Sequence, residues 1–152
     1  MTQVLKITDV ERVCFGLARK LMSWHEPIPD FKTRRPGVLE SCLLSPLATW
    51  GKKSLYPSIY DKAATLFYLM VKNHPFINGN KRVAVTSLLT FLYLNKKWLK
   101  VSPERLYKTA FWVAESDSEF KTGTVMAIKD FLRKNTVIRK QVWFSQTSAI
   151  RA

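Results

Sequence analysis

The sequence predicts an all-α protein, and three observations support this prediction. Apolar residues recur at helical spacing in several segments, helix start and stop signals separate these segments, and residues 81–94 are apolar on nearly every face. A soluble helix that is apolar all round lies at the centre of a bundle. The chain has 152 residues, which is long enough for one domain with a substantial core. We therefore expect a single helical bundle.

The start and stop signals place the individual helices. Thr8 and Glu11 match a capping box, Pro75 ends the helix before it, and Ser102, followed by a proline, begins another helix. Asn95 is expected to close the central helix in a left-handed conformation. The predicted helices span about residues 9–22, 37–44, 58–73, 81–94, 103–114 and 123–134.

The remaining segments are predicted to be non-helical. Residues 47–56, LATWGKKSLY, carry a glycine turn beside aromatic residues and favour a small β-hairpin. Residues 96–101 are expected to form a short extended link. The predicted domain covers residues 1–135. A basic tail follows at 136–152, and its apolar segment at 142–144 (Val-Trp-Phe) is a candidate for docking on the domain.

The composition restricts the classes of partner. The net charge is +14, from 25 basic and 11 acidic residues, and it favours a polyanionic partner such as nucleic acid, nucleotides or an acidic protein. No apolar stretch reaches the length of a membrane span, and the N-terminus lacks a signal-peptide pattern. Cys14 and Cys42 have no metal-ligand spacing, so we expect buried thiols in a reducing cytosol.

The segment HPFINGNKR, residues 74–82, is the hardest to explain by packing alone. It leads into the apolar helix, which is expected to begin near Asn80 and whose first N–H groups have no partner within the helix. Lys81 and Arg82 place two cations at the positive end of the helix dipole, where they are unfavourable. Gly79 allows a ligand to approach the backbone closely. The pattern predicts a bound anion, most naturally phosphate.

His74 adds a base to this predicted phosphate site. A histidine can accept a proton near neutral pH, so the segment suggests transfer chemistry in which His74 deprotonates a hydroxyl that attacks a nucleotide phosphorus. Backbone N–H groups, Lys81, Arg82 and a metal would stabilise the transition-state charge. A loop histidine is more often structural, and His25, which has no such turn nearby, is interpreted in that way.

These residues resemble the signature of the Fic/Doc family, HPFx(D/E)GN followed by GR or KR. The likeness extends to GVLES at 37–41, LYPSIYDKAATLFYLMVKNHPF at 55–76 and KRVAVTSLLTFLYLN at 81–95. It covers about residues 5–134 and is strongest over residues 55–95. The resemblance implies a Fic/Doc-type helical bundle in the bacterial cytoplasm, using ATP or another nucleoside triphosphate to modify a protein hydroxyl.

The resemblance also implies roles for particular residues. His74 matches the family's catalytic base and Phe76 its core anchor. Gly79 and Asn80 match the anion-binding turn, Arg82 matches the phosphate-contacting arginine, and residues 50–56 match the flap that docks the target chain.

Two positions indicate the branch of the family. AMP-transferring Fic enzymes carry glycine and a second arginine where this chain has Lys81 and Val85, and this difference resembles the Doc, or death-on-curing, toxins. That likeness implies a kinase that phosphorylates a translation protein such as elongation factor Tu. Lysine fills the space where glycine would admit a phosphate, so the nucleotide would bind reversed and present its γ-phosphate. Asn78 occupies the acidic position that holds Mg²⁺, and a neutral amide is a weaker ligand for this hard dication.

Two alternative functions remain open at this stage. One is a Fic-type AMP or other nucleotidyl transferase, and the other is a catalytically weakened Fic-fold binding protein. The family's self-inhibitory motif, (S/T)xxxE(G/N), does not occur in this sequence, so a separate antitoxin is expected as a partner. An acidic or disordered antitoxin segment would suit the +14 surface. Nucleic acid is a less favoured partner, and no membrane partner is expected.

Overall fold

The computed structural model describes residues 1–22 and 27–138, and this part of the chain is a helical bundle with two small sheets. The predicted all-α fold and the small hairpin are confirmed. Helix α1 consists of three consecutive segments, namely Ile7–Asp9, the π-helical Val10–Cys14, and Phe15–Leu21. The other helices are α2 Val38–Leu44, α3 Ile59–Lys72, α4 Asn80–Leu94, α5 Pro103–Glu115 and α6 Lys121–Asn135. The strands are β1 Thr49–Trp50, β2 Lys53–Ser54, β3 Lys97–Leu99 and β4 Thr136–Ile138.

Helices α3 and α4 form the centre of the bundle. They pack against each other, α6 and α5 also contact α3, and α1 and α5 contact α4. Val83, Leu88 and Leu92 of α4 are fully or almost fully buried, as the prediction of a central apolar helix requires.

Within the described residues, no helix is both long enough and apolar enough to cross a membrane. Cys14 and Cys42 are buried free thiols, and burial raises the pKa of Cys42 to about 11, so this thiol stays protonated at neutral pH.

Helix α1 starts earlier than its predicted capping box. The helix begins at Ile7, and the Asp9 carboxylate accepts the Lys6 N–H at 2.9 Å, so the predicted box between Thr8 and Glu11 is wrong. The widened π-helical segment of α1 contacts α4 through a side chain. The Thr86 hydroxyl donates to the Cys14 carbonyl at 2.7 Å in a fully buried environment.

The helix boundaries near the centre follow the sequence signals. Ser58 and Ser102 cap α3 and α5 with their hydroxyls, and α3 ends at Lys72, just before His74-Pro75. The predicted left-handed cap at Asn95 is wrong, because its φ is −99° and Lys96 instead adopts the positive φ of 62°. The Asn95 amide donates to the Phe91 carbonyl at 2.8 Å and to the Gln3 carbonyl at 2.9 Å.

Strands β1 and β2 form the predicted hairpin. Trp50 pairs with Lys53, and the two residues between them, Gly51 and Lys52, have positive φ values of 55° and 67°, as tight hairpin turns require. The buried ammonium of Lys62 on α3 donates to the Tyr56 carbonyl, and it also contacts the Ser54 hydroxyl at 3.3 Å. This lysine fixes the base of the hairpin to the core, while the Trp50 side chain at its tip is 81% exposed.

A second antiparallel pair was not predicted. Residues 97–99, expected to lie in an extended link, form β3 and pair with β4, so that Trp98 lies opposite Val137. Strand β4 lies just beyond residue 135, where the domain was predicted to end, and it is attached to the domain by this pairing. Residues 142–144 and His25 lie outside the described residues.

Candidate active site

The loop between α3 and α4 is closed by the side chain of Asn80. Its amide oxygen accepts the Phe76 N–H at 2.8 Å, and its amide nitrogen donates to the Phe76 carbonyl at 2.9 Å. Both ends of the side chain are therefore engaged with one backbone residue. The resemblance placed Asn80 in the anion-binding turn; in the structure its side chain holds that turn together, and its backbone begins α4.

Phe76 attaches the same loop to the core. Its ring is buried, with centroid distances of 5.6 Å to Phe15 and 6.0 Å to Phe31. Aromatic pairs at such separations contribute more than the burial of their area alone. The structure thus places Phe76 in the core, and the anchor role that the resemblance implies for it stays a prediction.

Gly79 meets two separate constraints at the start of α4. Its φ is 80°, a left-handed conformation that side chains rarely adopt. A Cβ at this position would also lie 2.9 Å from Cγ1 of Ile28. Local packing and backbone geometry therefore both require glycine here, in addition to the ligand approach that the sequence suggested.

The predicted site residues lie together around one cavity of about 260 Å³. Phe76 lies in the core next to it and is the one predicted site residue that does not line it. Tyr107 of α5 also lines the cavity and was missed, because only packing of α5 against α4 brings it there. The lining residues are His74, Ile77, Asn78, Gly79, Asn80, Lys81, Arg82 and Tyr107.

The charges around this cavity favour an anion. Arg82 is only 5% exposed and contributes to the cavity wall. It lies in the first turn of α4, where the backbone N–H groups have no partner within the helix. The ion pairs within the described residues are Arg34–Glu40 and Lys129–Asp61. No described carboxylate is therefore paired with Arg82 or Lys81. Arg82 therefore contributes to the cavity wall a cation without a described carboxylate partner, which suits an anionic ligand.

Lys81 and Lys72 are each held by a specific contact. The Lys81 ammonium lies 4.6 Å from the centroid of the Phe111 ring on α5. The Lys72 ammonium, from the last turn of α3, donates to the carbonyls of Ser116 and Ala114 at the C-terminal end of α5, where the helix dipole favours a cation.

The surroundings of His74 favour the neutral form of its side chain. It has a positive φ of 49° and an exposed side chain, and the next residue is fixed because the Arg35 N–H donates to the Pro75 carbonyl at 2.9 Å. Partial burial of the ring lowers the pKa of His74, and the charges of Arg35, Lys81 and Lys72 lower it further. The lowered pKa increases the neutral fraction of the ring at pH 7, and the neutral ring can act as a base.

The cavity does not fit a magnesium ion held by the protein alone. The Asn78 amide oxygen accepts the Gly79 N–H at 2.8 Å, and none of the described residues that line the cavity is a carboxylate. The described residues also contain no group of three or more histidine, cysteine or acidic side chains suited to a metal. Magnesium usually needs one or two carboxylates in addition to substrate phosphates.

Replacing Asn80 by alanine should loosen the loop without changing any charge. The Phe76 N–H and carbonyl would lose their partner, which should cost about 1–3 kcal/mol in the free energy of unfolding. Urea denaturation measures this loss, and hydrogen exchange should show faster exchange at the Phe76 amide. Asn80→Asp keeps the acceptor and should restore protection of that amide. Equal protection in Asn80→Ala and the parent would contradict the assigned role.

Replacing Arg35 by glutamine should raise the pKa of His74, because one of the cations that disfavour the imidazolium is removed. NMR titration of the imidazole protons measures this pKa, and His25→Gln assigns the two histidine signals. Arg34→Gln is the matched control, since the Arg34 guanidinium is paired with Glu40 at 3.4 Å and stacks on Phe31. Identical His74 titrations in Arg35→Gln and the parent would contradict this prediction.

The same shift has a consequence for stability. The pKa of His74 is lower in the folded chain than the ordinary value of 6.5, so the unfolded chain takes up the proton first as the pH falls. The contribution of His74 therefore favours folding above that ordinary pKa and is lost as the pH falls below it.

Comparisons with known proteins identify the family. The family described as the Fic/DOC family matches residues 8–92, which is more than half of the chain. A protein named Toxin Doc, from Mycolicibacterium smegmatis (strain ATCC 700084 / mc(2)155), is 38% identical over 66 residues, which is 43% of this chain and 51% of that protein. The alignment thus spans about half the length of that relative. No solved structure matches the chain. The chain belongs to the Fic/Doc family.

Proposed function

We propose that this protein is a Doc-like toxin that transfers a phosphate from a nucleoside triphosphate to a serine or threonine hydroxyl of a translation protein. One observation carries the proposal. A histidine with a lowered pKa, a buried arginine, a lysine and a helix N-terminus all line one cavity, and no described carboxylate lines it. The similarity to a protein named Toxin Doc supports the toxin role.

The proposed reaction uses the residues of the chain as follows. The neutral ring of His74 accepts the proton of the target hydroxyl as its oxygen attacks the γ-phosphorus. A bond forms between that oxygen and phosphorus, and the bond from phosphorus to the β–γ bridging oxygen breaks, so that the nucleoside diphosphate leaves. Arg82, Lys81 and the first N–H groups of α4 stabilise the added negative charge. The proton on His74 then passes to water.

The position of Val85 supports transfer of the γ-phosphate rather than of a nucleotide. Val85 is fully buried in α4, at the position where the AMP-transferring branch carries its second arginine. The site therefore has no second guanidinium from this position. Lys81 lines the cavity where that branch has glycine, which reduces the space for a phosphate and favours a reversed nucleotide.

The proposed partners follow from the family and from the charge. A cognate antitoxin would control the toxin, and an acidic segment of it would suit the net charge of +14. Elongation factor Tu is the proposed target, and the hairpin formed by β1 and β2 is the proposed docking flap. Its exposed Trp50 and its attachment to buried Lys62 suit a recognition element on a rigid base. The proposed location is the cytoplasm.

A transfer assay with α-labelled and γ-labelled ATP tests the reaction type. We expect label from the γ position alone on elongation factor Tu, and His74→Ala should slow this transfer about 10²- to 10⁴-fold. His25→Ala is the matched control and should leave the rate unchanged.

Three results would contradict parts of this proposal. Label from the α position would favour nucleotidyl transfer. Equal rates in His74→Ala and the parent would remove His74 from the mechanism. Failure of the parent to bind either ATP or GTP would favour a binding protein without transferase activity.

Replacing Asn78 by aspartate should lower the magnesium concentration that gives half-maximal transfer. None of the described residues that line the cavity is a carboxylate, and the substitution would add one. A carboxylate oxygen binds Mg²⁺ better than an amide oxygen because it carries charge. Magnesium titration of the transfer rate measures the change, with Asn78→Ala as the control without an oxygen ligand. An unchanged requirement in Asn78→Asp would show that Asn78 does not face the metal.

A further inference from the structure

We propose that Phe111 is a positioning residue that holds the Lys81 ammonium at the wall of the phosphate cavity. The proposal rests on the proposed function, because it assumes that the cavity binds nucleotide phosphates. Phe111 itself does not line the cavity, so it would act through Lys81.

The geometry places the ring directly behind the lysine. The Lys81 ammonium lies 4.6 Å from the centroid of the Phe111 ring, within the range of a cation–π interaction. The Tyr107 ring packs edge-on against Phe111, with centroids 5.1 Å apart and an interplanar angle of 81°. Tyr107 also lines the cavity, so two rings one helical turn apart on α5 form a continuous wall beside Lys81.

Lys81 needs such support because its surroundings are positively charged. It lies in the first turn of α4, where the helix dipole repels a cation, next in sequence to Arg82. A long, flexible side chain there would turn towards solvent, where its charge is hydrated. The face of an aromatic ring attracts the ammonium and opposes this movement.

An aromatic partner suits a phosphate site better than a carboxylate would. A carboxylate would neutralise Lys81 and compete with the phosphate for it. The ring leaves the full positive charge and the N–H donors that face the cavity available to an incoming anion. This accounts for a large aromatic residue that remains 42% exposed on the surface of α5.

Trp112 provides a matched control on the same helix. It is 50% exposed, similar to Phe111, but it faces the groove between α5 and α6 rather than Lys81. A general effect of losing an exposed aromatic residue from α5 should appear in Trp112→Leu, whereas an effect through Lys81 should appear only at Phe111.

The first experiment measures the position of the Lys81 charge without nucleotide or added metal. The Lys81 charge lowers the pKa of His74, as do the charges of Arg35 and Lys72. Phe111→Leu should therefore raise that pKa in an NMR titration, in the same direction as Lys81→Met. Phe111→Tyr should restore the parent value, and Trp112→Leu should not change it. The double variant that carries both Lys81→Met and Phe111→Leu should have the same His74 pKa as Lys81→Met alone.

The second experiment measures the affinity for ATP by calorimetry. Phe111→Leu should weaken binding roughly two- to fivefold, the range expected for an exposed cation–π contact, with Phe111→Tyr and Trp112→Leu close to the parent. Thermal unfolding confirms that each variant is folded.

The proposal would be overturned if Phe111→Leu left the His74 titration unchanged, or if its effect simply added to that of Lys81→Met. Its failure is distinguishable from failure of the proposed function. The titration needs no ligand, so it still tests Phe111 if the parent does not bind ATP.

Discussion

The two hydrogen bonds between Asn80 and Phe76 are the interaction on which the rest of the site depends. They close the loop in front of α4 in both directions, since one amide group donates and accepts at the same backbone residue. Phe76 is at the same time packed against Phe15 and Phe31, so the loop is attached both to the helix and to the core. Asn78 lies inside the segment that these bonds close, and His74 lies two residues before Phe76.

The site is unfavourable for the empty protein and favourable for a bound anion. Lys81, Arg82 and the N-terminal end of α4 bring positive charge together beside a cavity without a described acidic lining residue. Mutual repulsion at this point weakens the fold, and local departures of this kind are typical of functional sites. Lys81 is also one of the charges that lower the pKa of His74, after the larger effect of partial burial of the ring and together with Arg35 and Lys72. One of the cations that would attract phosphate therefore also favours the neutral imidazole.

Local signals in the sequence were sufficient for most of the fold and for much of the site. Ser102 marked a helix start correctly, because a cap is defined by neighbouring residues. The cavity residues at 74–82 could be grouped because they are contiguous. Tyr107 and the pairing of β3 with β4 depend on contacts between segments distant in the sequence, for which no local pattern exists. The structural role of Asn80 was also missed, since its side chain could equally have faced a ligand.

The contact between Lys72 and the end of α5 has a mechanical consequence for the site. Lys72 belongs to the last turn of α3, two residues before His74, and it holds the final carbonyls of the helix that carries Tyr107 and Phe111. The end of α3 that precedes His74 is therefore linked to the helix that carries the aromatic wall through one side chain. If α3 slid past α5, the hydrogen bonds of Lys72 would first have to break. Ligands of different size would therefore be accommodated by rotation of side chains around the cavity.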